Sequence, residues 1–116
     1  MRLADNECIP CKGGILPLSH SEFEPLLQEL DGWNIADEIQ LCRSFAFSNF
    51  VDAMNFANAI TPIAEDQGHH PDLFVRWGEV KVILWTHSIN GLTLSDFYMA
   101  DKIERVFESL PADRKK

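Results

Sequence analysis

The chain has 116 residues, 46% of them hydrophobic and 24% charged, the composition of one globular domain with its own core. Ten basic against eighteen acidic residues leave a net charge of −8, a surface that repels phosphate backbones and argues against nucleic-acid binding by this chain alone. No apolar run approaches the roughly 20 residues that span a bilayer, and the start Met1-Arg2-Leu3-Ala4-Asp5-Asn6-Glu7 is too polar for a secretory signal, so we expect no membrane association and a cytoplasmic location.

Residues 1–18 carry no periodicity and are punctuated by Gly13-Gly14 and Pro17; they are read as an N-terminal arm ahead of a single domain over 19–116. The three cysteines, Cys8, Cys11 and Cys42, are an odd number and argue against a disulfide framework. Cys8-Ile9-Pro10-Cys11 supplies only half of the four ligands of a structural zinc site. The arm is therefore read as reduced and flexible, with no metal.

Ser19-x-x-Glu22 and Ser21-x-x-Glu24 are both capping boxes and predict a helix over 21–30, with Phe23, Leu26, Leu27 and Leu30 on one stripe. Residues 33–37 form a short strand. From there Ile39, Leu41, Phe45 and Phe47 alternate with Gln40, Cys42 and Ser44, as in a half-buried strand. Ser48 opens a second helix with Phe50, Met54, Ala57 and Ala64 on its buried side. Pro62 should kink or split it near Ile60-Thr61, and Gly68 ends it as a C-cap. Residues 72–77 and 79–87 are two strands around Gly78. In the second, Val80, Val82 and Leu84 face one way while Lys81, Ile83, Trp85 and His87 face the other. Asn90-Gly91 is a turn, Thr93-x-x-Asp96 a third capping box, and Phe97, Ala100, Ile103, Phe107 and Leu110 the stripe of a last helix. The order α-β-β-α-β-β-α predicts an α+β fold, a four-stranded antiparallel sheet with three helices packed on one face.

Chemistry concentrates between residues 65 and 96. Three of the four histidines, His69, His70 and His87, each stand at the end of a predicted element, where sites are usually built. Imidazole exchanges protons in either direction near neutrality, so three such rings around one ligand suit elimination or hydration. The competing reading is a Gly-His-His-Pro turn whose rings cap backbone groups. Adjacent histidines point apart and no H-x-x-x-H pair exists, so metal binding is the weaker idea. Asp96 is a helix N3 carboxylate that can also orient His87. Glu65, four residues before His69, shares its helical face if the helix lasts that long, and is otherwise a solvated carboxylate. Trp77 and Trp85 are candidates to stack on a flat heterocycle or, equally, to pack in the core or at a subunit interface.

Glu65-x-x-x-His69-His70-Pro71, the aromatic stretch after it, Thr86-His87 and Gly91-Leu92-Thr93-x-x-Asp96 together closely resemble the pterin-4a-carbinolamine dehydratase family. The likeness covers roughly residues 20–110 and includes Gly32-Trp33; the arm Cys8-x-x-Cys11-x-Gly13-Gly14-x-x-Pro17-Leu18 also resembles microbial and plant members. The resemblance implies a hydro-lyase that converts 4a-hydroxytetrahydropterin to quinonoid dihydropterin in tetrahydrobiopterin recycling, without metal or organic cofactor. By position it makes His69 and His87 the acid/base pair, His70 the pterin-binding histidine and Asp96 the supporting carboxylate, with Glu65, Pro71 and Trp85 around them. It further implies a homodimer or homotetramer. Some animal relatives also serve as dimerisation cofactors for a homeodomain transcription factor, so an interaction module, or another pterin-related task near molybdopterin metabolism, is the alternative. Leu73, where many relatives carry an aromatic residue, and Pro62 depart from the family pattern.

Overall fold

Side chains that return to their own backbone set the helix starts. In the structure, a computed structural model that describes residues 3–8 and 16–116, α1 (His20–Leu27) takes the first of its two candidate boxes, at Ser19 and Glu22. The Ser19 backbone N–H donates to Glu22 Oε1 at 2.9 Å. That bond favours the anion and holds the Glu22 carboxyl below its ordinary pKa. Cys11 and Gly13-Gly14 lie outside the described residues.

The second helix, α2 (Phe50–Gln67), is capped by Asn49, whose side chain accepts from the Asp52 N–H at 2.8 Å. Ser48 instead donates to the Asp113 carbonyl at 3.0 Å. The buried stripe is Ala53, Phe56, Ala57, Ile60 and Ala64; Phe50 and Met54, expected inside, are 48% and 36% exposed. Small alanines flank Phe56 on this stripe, a helical spacing that presents one large ring to the core. Pro62 does not split α2, which runs through it unbroken. It removes one donor, and Ile60 and Ala64 on either side of it stay buried.

Gly68 then ends the helix in the left-handed region, φ 61. Its N–H and that of His69 both return to the Ala64 carbonyl, which turns His69 out of the helix axis.

The strands β1 (Asn34–Ala36), β2 (Gln40–Ala46), β3 (Asp72–Arg76) and β4 (Glu79–Leu84) form one antiparallel sheet in the order β1-β2-β4-β3. Asp37 and Glu38, at φ 53 and 64, make the β1–β2 turn, closed by Ile39 N–H to the Ala36 carbonyl at 3.1 Å. Two left-handed central residues give the turn whose twist matches its strands, here without the usual Asn-Gly. The last helix is α3 (Leu94–Glu108). As expected, this is an α+β fold with the three helices on one face of the sheet.

Leu41, Phe45, Val80, Val82 and Leu84 are buried beneath the helices. Phe45 meets Phe56 and Phe107 at centroid distances of 4.8 and 4.9 Å. Arg43 shares their side of the sheet. Its guanidinium lies 4.3 Å from the Phe45 ring and pairs with buried Glu104, which also accepts from the Trp33 indole N–H at 2.8 Å. Burial pulls Arg43 below its ordinary pKa. Among the described residues no buried side-chain nitrogen or oxygen lacks a hydrogen bond, and no helix is long and apolar enough to cross a membrane.

The described part of the arm is docked, not free. Leu3 is buried, the Ala4 N–H donates to Asp101 Oδ2 at 2.8 Å, and Lys102 Nζ donates to the Ala4 carbonyl at 2.7 Å.

Gly68→Ala should lower stability by about 1 kcal/mol. An added Cβ would meet nothing within 4 Å, so the strain comes from the left-handed backbone alone. Equilibrium urea unfolding measures it; an unchanged or higher stability contradicts this account of the helix end.

Candidate active site

Asp72 pairs with Ile83 across β3 and β4, so the start of one strand and the end of the other emerge side by side. The segment after α2 and the segment after β4 therefore meet. Between them lies a cavity of about 380 Å³ lined by residues 68–72 and 85–88. His69, His70 and His87 all line it, together with Pro71 and Trp85. The structure thus brings five of the seven expected site residues to one cavity, and the other two, Asp96 and Glu65, are each bonded to one of its histidines.

Asp96 is fully buried. Its Oδ1 lies 2.6 Å from His69 Nε2, and its Oδ2 accepts from Thr86 Oγ1 at 2.8 Å and from the Thr93 N–H at 2.9 Å. The two threonine hydroxyls are 3.0 Å apart. One carboxylate therefore caps α3 and holds a histidine that comes from the end of α2. Bonds to a charged acceptor are short and strong in such surroundings. His69 retains only 12% of its side-chain exposure, and Nδ1 is the ring nitrogen that Asp96 does not engage. The N3 capping role read for Asp96 holds; the histidine it bonds is His69 and not His87, the one the short loop would let it orient, because the left-handed cap at Gly68 swings the His69 ring toward α3.

His87 does not end a strand. The fourth strand stops at Leu84, and His87 opens a one-turn 3-10 helix (His87–Ile89). The Thr86 N–H donates to the Gly91 carbonyl at 2.8 Å and the Gly91 N–H returns to the Thr86 carbonyl at 3.4 Å, closing this loop at its base. His87 is exposed, and its ring lies against Trp85 with centroids 4.0 Å apart. The Trp85 indole N–H reaches Asp72 Oδ2 at 3.4 Å.

His70 pairs with Glu65 at 2.5 Å, both side chains largely exposed, at 59% and 71%. The helix does not last to His69, so the conditional match of Glu65 with His69 does not arise, and Glu65 is a largely solvated carboxylate. Glu65 instead joins His70, Pro71, Ile60 and Leu73 around a second cleft of about 150 Å³. Trp77 is 65% exposed in the β3–β4 turn, away from the cavity. Thr86 and Thr93, which sequence reasoning left without a site role, hold the far oxygen of Asp96. The only signal for Thr86 was its place beside His87. Among the described residues no group of three or more His, Cys, Asp or Glu side chains is arranged to hold a metal ion.

Three imidazoles around one cavity, one of them fixed by a buried carboxylate, are equipped to move protons on a bound ligand. A sequence model of the family described as pterin 4 alpha carbinolamine dehydratase matches residues 16–106. The chain belongs to this family. A protein of Rubrobacter xylanophilus, provisionally named as a pterin-4-alpha-carbinolamine dehydratase, is 48% identical over 104 residues, 90% of this chain and 97% of the relative. A crystal structure from Brucella melitensis, described as a transcriptional coactivator/pterin dehydratase, has a TM-score of 0.74 and 38% identity over 78% of this chain and 97% of that one. A pterin dehydratase-like protein described as a RuBisCO assembly factor in the alpha-carboxysome shares the fold, with a TM-score of 0.57 and 18% identity over 68% of this chain and 93% of its own.

In this pterin dehydratase family member, removing Asp96 should unfasten both α3 and His69. Asp96→Ala is expected to cost about 1–2 kcal/mol of stability through the lost cap. Asp96→Asn keeps an acceptor for the Thr93 N–H and should cost clearly less. Urea unfolding of the two variants decides; equal losses would mean that the cap is not what the carboxylate provides.

Proposed function

We propose that the protein dehydrates 4a-hydroxytetrahydropterin to quinonoid dihydropterin by histidine general acid/base catalysis, in the recycling of tetrahydrobiopterin. The observation that carries this reading is the convergence of His69, His70 and His87 on one cavity. In the reaction the C4a–O bond breaks and the oxygen leaves as water after taking a proton from an acid. The N5 proton passes to a base as the C4a=N5 double bond forms. Only protons and water change places, so the chemistry calls for no redox cofactor.

His69 and His87 are the acid/base candidates on opposite walls of the cavity. His69 is held by Asp96, and a fixed ring loses less on reaching the reacting geometry. His70, backed by Glu65 at the rim, would hold the pterin's polar edge, while Pro71 and the Trp85 ring supply flat apolar surface.

The test is the decay of enzymatically generated 4a-hydroxytetrahydropterin, followed by ultraviolet absorbance. The wild type should accelerate it, and His69→Ala and His87→Ala should each lower turnover by roughly 10²–10⁴-fold. Folded single mutants that keep wild-type turnover would overturn the assignment.

We also infer a homodimer or homotetramer. Supporting this are Phe74, 60% exposed on the edge strand β3, Trp77, 65% exposed in the turn that follows it, and Phe50 and Val51, 48% and 65% exposed on α2. Light scattering after size exclusion should give a mass of two or four chains of 13.2 kDa; a monomer at micromolar concentration contradicts it. The same exposed residues, and the relatives described as a coactivator and an assembly factor, support a second reading as a protein-interaction module. Partner capture that survives replacement of all three histidines would favour it.

A further inference from the structure

The N-terminal segment is the motif that the proposed reaction leaves unused, and its contacts fall on the supports of the site. The Cys8 backbone N–H donates to Gln67 Oε1 at 2.8 Å. Gln67 is the last residue of α2, two positions before His69, and its Nε2 donates to Asp66 Oδ2 at 2.8 Å, which leaves Oε1 toward Cys8. The Cys8 thiol lies 3.5 Å from the Ser95 carbonyl, and Ser95 is the buried residue just before Asp96. Cys8 thus bridges the end of α2 and the start of α3, the two elements that the His69–Asp96 bond joins.

Further along, the Leu18 N–H donates to the Leu92 carbonyl at 2.8 Å. Pro17 covers Gly91 so closely that a Cβ at Gly91 would stand 2.5 Å from Pro17 Cβ, and Gly91 closes the loop that presents His87. Ala4 anchors the other end of the segment on Asp101 and Lys102 of α3. The segments carrying His69, Asp96 and His87 are therefore each held by N-terminal residues.

We propose that residues 3–8 and 17–18 form a strap that positions the acid/base groups, and that Gln67 and Gly91 are the positioning residues through which it acts. Gln67 sets the end of α2, and so His69, against the start of α3. Gly91 admits Pro17 and so fixes the loop of His87. The kinetic consequence rests on the dehydratase reading; the placement of the rings does not. A displacement of about 1 Å at a reacting group costs on the order of 10²-fold in rate, so a strap of a few hydrogen bonds influences turnover well beyond its share of stability.

The experiment compares full-length wild type with Gln67→Met, which keeps the packing and removes the acceptor, and with Gln67→Glu, which keeps an acceptor for the Cys8 N–H. The readouts are kcat and KM for the carbinolamine, the NMR resonances of the His69 and His87 rings, and thermal unfolding. Gln67→Met should lower kcat about tenfold with little change in KM or unfolding temperature, and should move the His69 resonances while leaving those of His87. Gln67→Glu, which keeps the acceptor but replaces the bond to Asp66 with a like-charge contact, should restore both in part. Gly91→Ala, which must displace Pro17, should move the His87 resonances instead. If Gln67→Met does not fold, Pro17→Gly tests the same strap from its other end, again through His87. Unmoved ring resonances in folded Gln67→Met and Gly91→Ala would overturn the proposal. A wild type without turnover would defeat the dehydratase reading, and the ring shifts would still decide the strap: movement supports it, and its absence ends it.

Discussion

A single buried carboxylate organises this molecule. Asp96 occupies the N3 position of α3 with no solvent exposure, and a carboxylate in such a place must find a partner for each oxygen. One oxygen is satisfied by Thr86 and the Thr93 backbone, the other by His69. These partners come from three different segments: the exit of β4, the start of α3 and the end of α2. Closing the hydrogen-bond set of one residue therefore brings together the walls of the cavity.

The second pair, His70 with Glu65, has the same chemistry in different surroundings. Its side chains are 59% and 71% exposed, against 12% and 0% for His69 and Asp96. An exposed pair contributes roughly 0–1 kcal/mol and exchanges readily with water or a ligand. The buried pair keeps one ring in one orientation. A fixed ring inside and an adaptable one at the rim suit a division between moving a proton and holding a polar substrate edge.

Much of this was legible in the chain because the deciding signals are local. The Ser19 and Thr93 capping boxes, Gly68 as a helix end and the alternation of Val80, Val82 and Leu84 need no knowledge of tertiary partners, and each stands as read. What the sequence left undecided was which carboxylate meets which histidine. Spacing by four would match Glu65 with His69 only in a helix that lasts to His69; the helix ends two residues earlier, at Gln67, and His70 pairs with Glu65 instead. The stripe of α2 was misplaced at Phe50 and Met54, whose size argued for burial; the surface of the sheet accepts Ala53 and Phe56 instead. Arg43 was missed on the inner face because its place there depends on Glu104, Trp33 and the faces of Phe45 and Phe107, which are distant in sequence. The arm showed no period, and it is the buried Leu3, the bonds of Ala4, Cys8 and Leu18 and the contact of Pro17 with Gly91 that reveal where its described residues dock.

The most direct test of the central claim is a double-mutant cycle on kcat/KM with His69→Gln and Asp96→Asn. If Asp96 acts through His69, the double variant should be no slower than His69→Gln alone, a strong departure from additivity. Losses that simply add would show that the two residues contribute independently, and that the buried pair is not the unit on which the site is built.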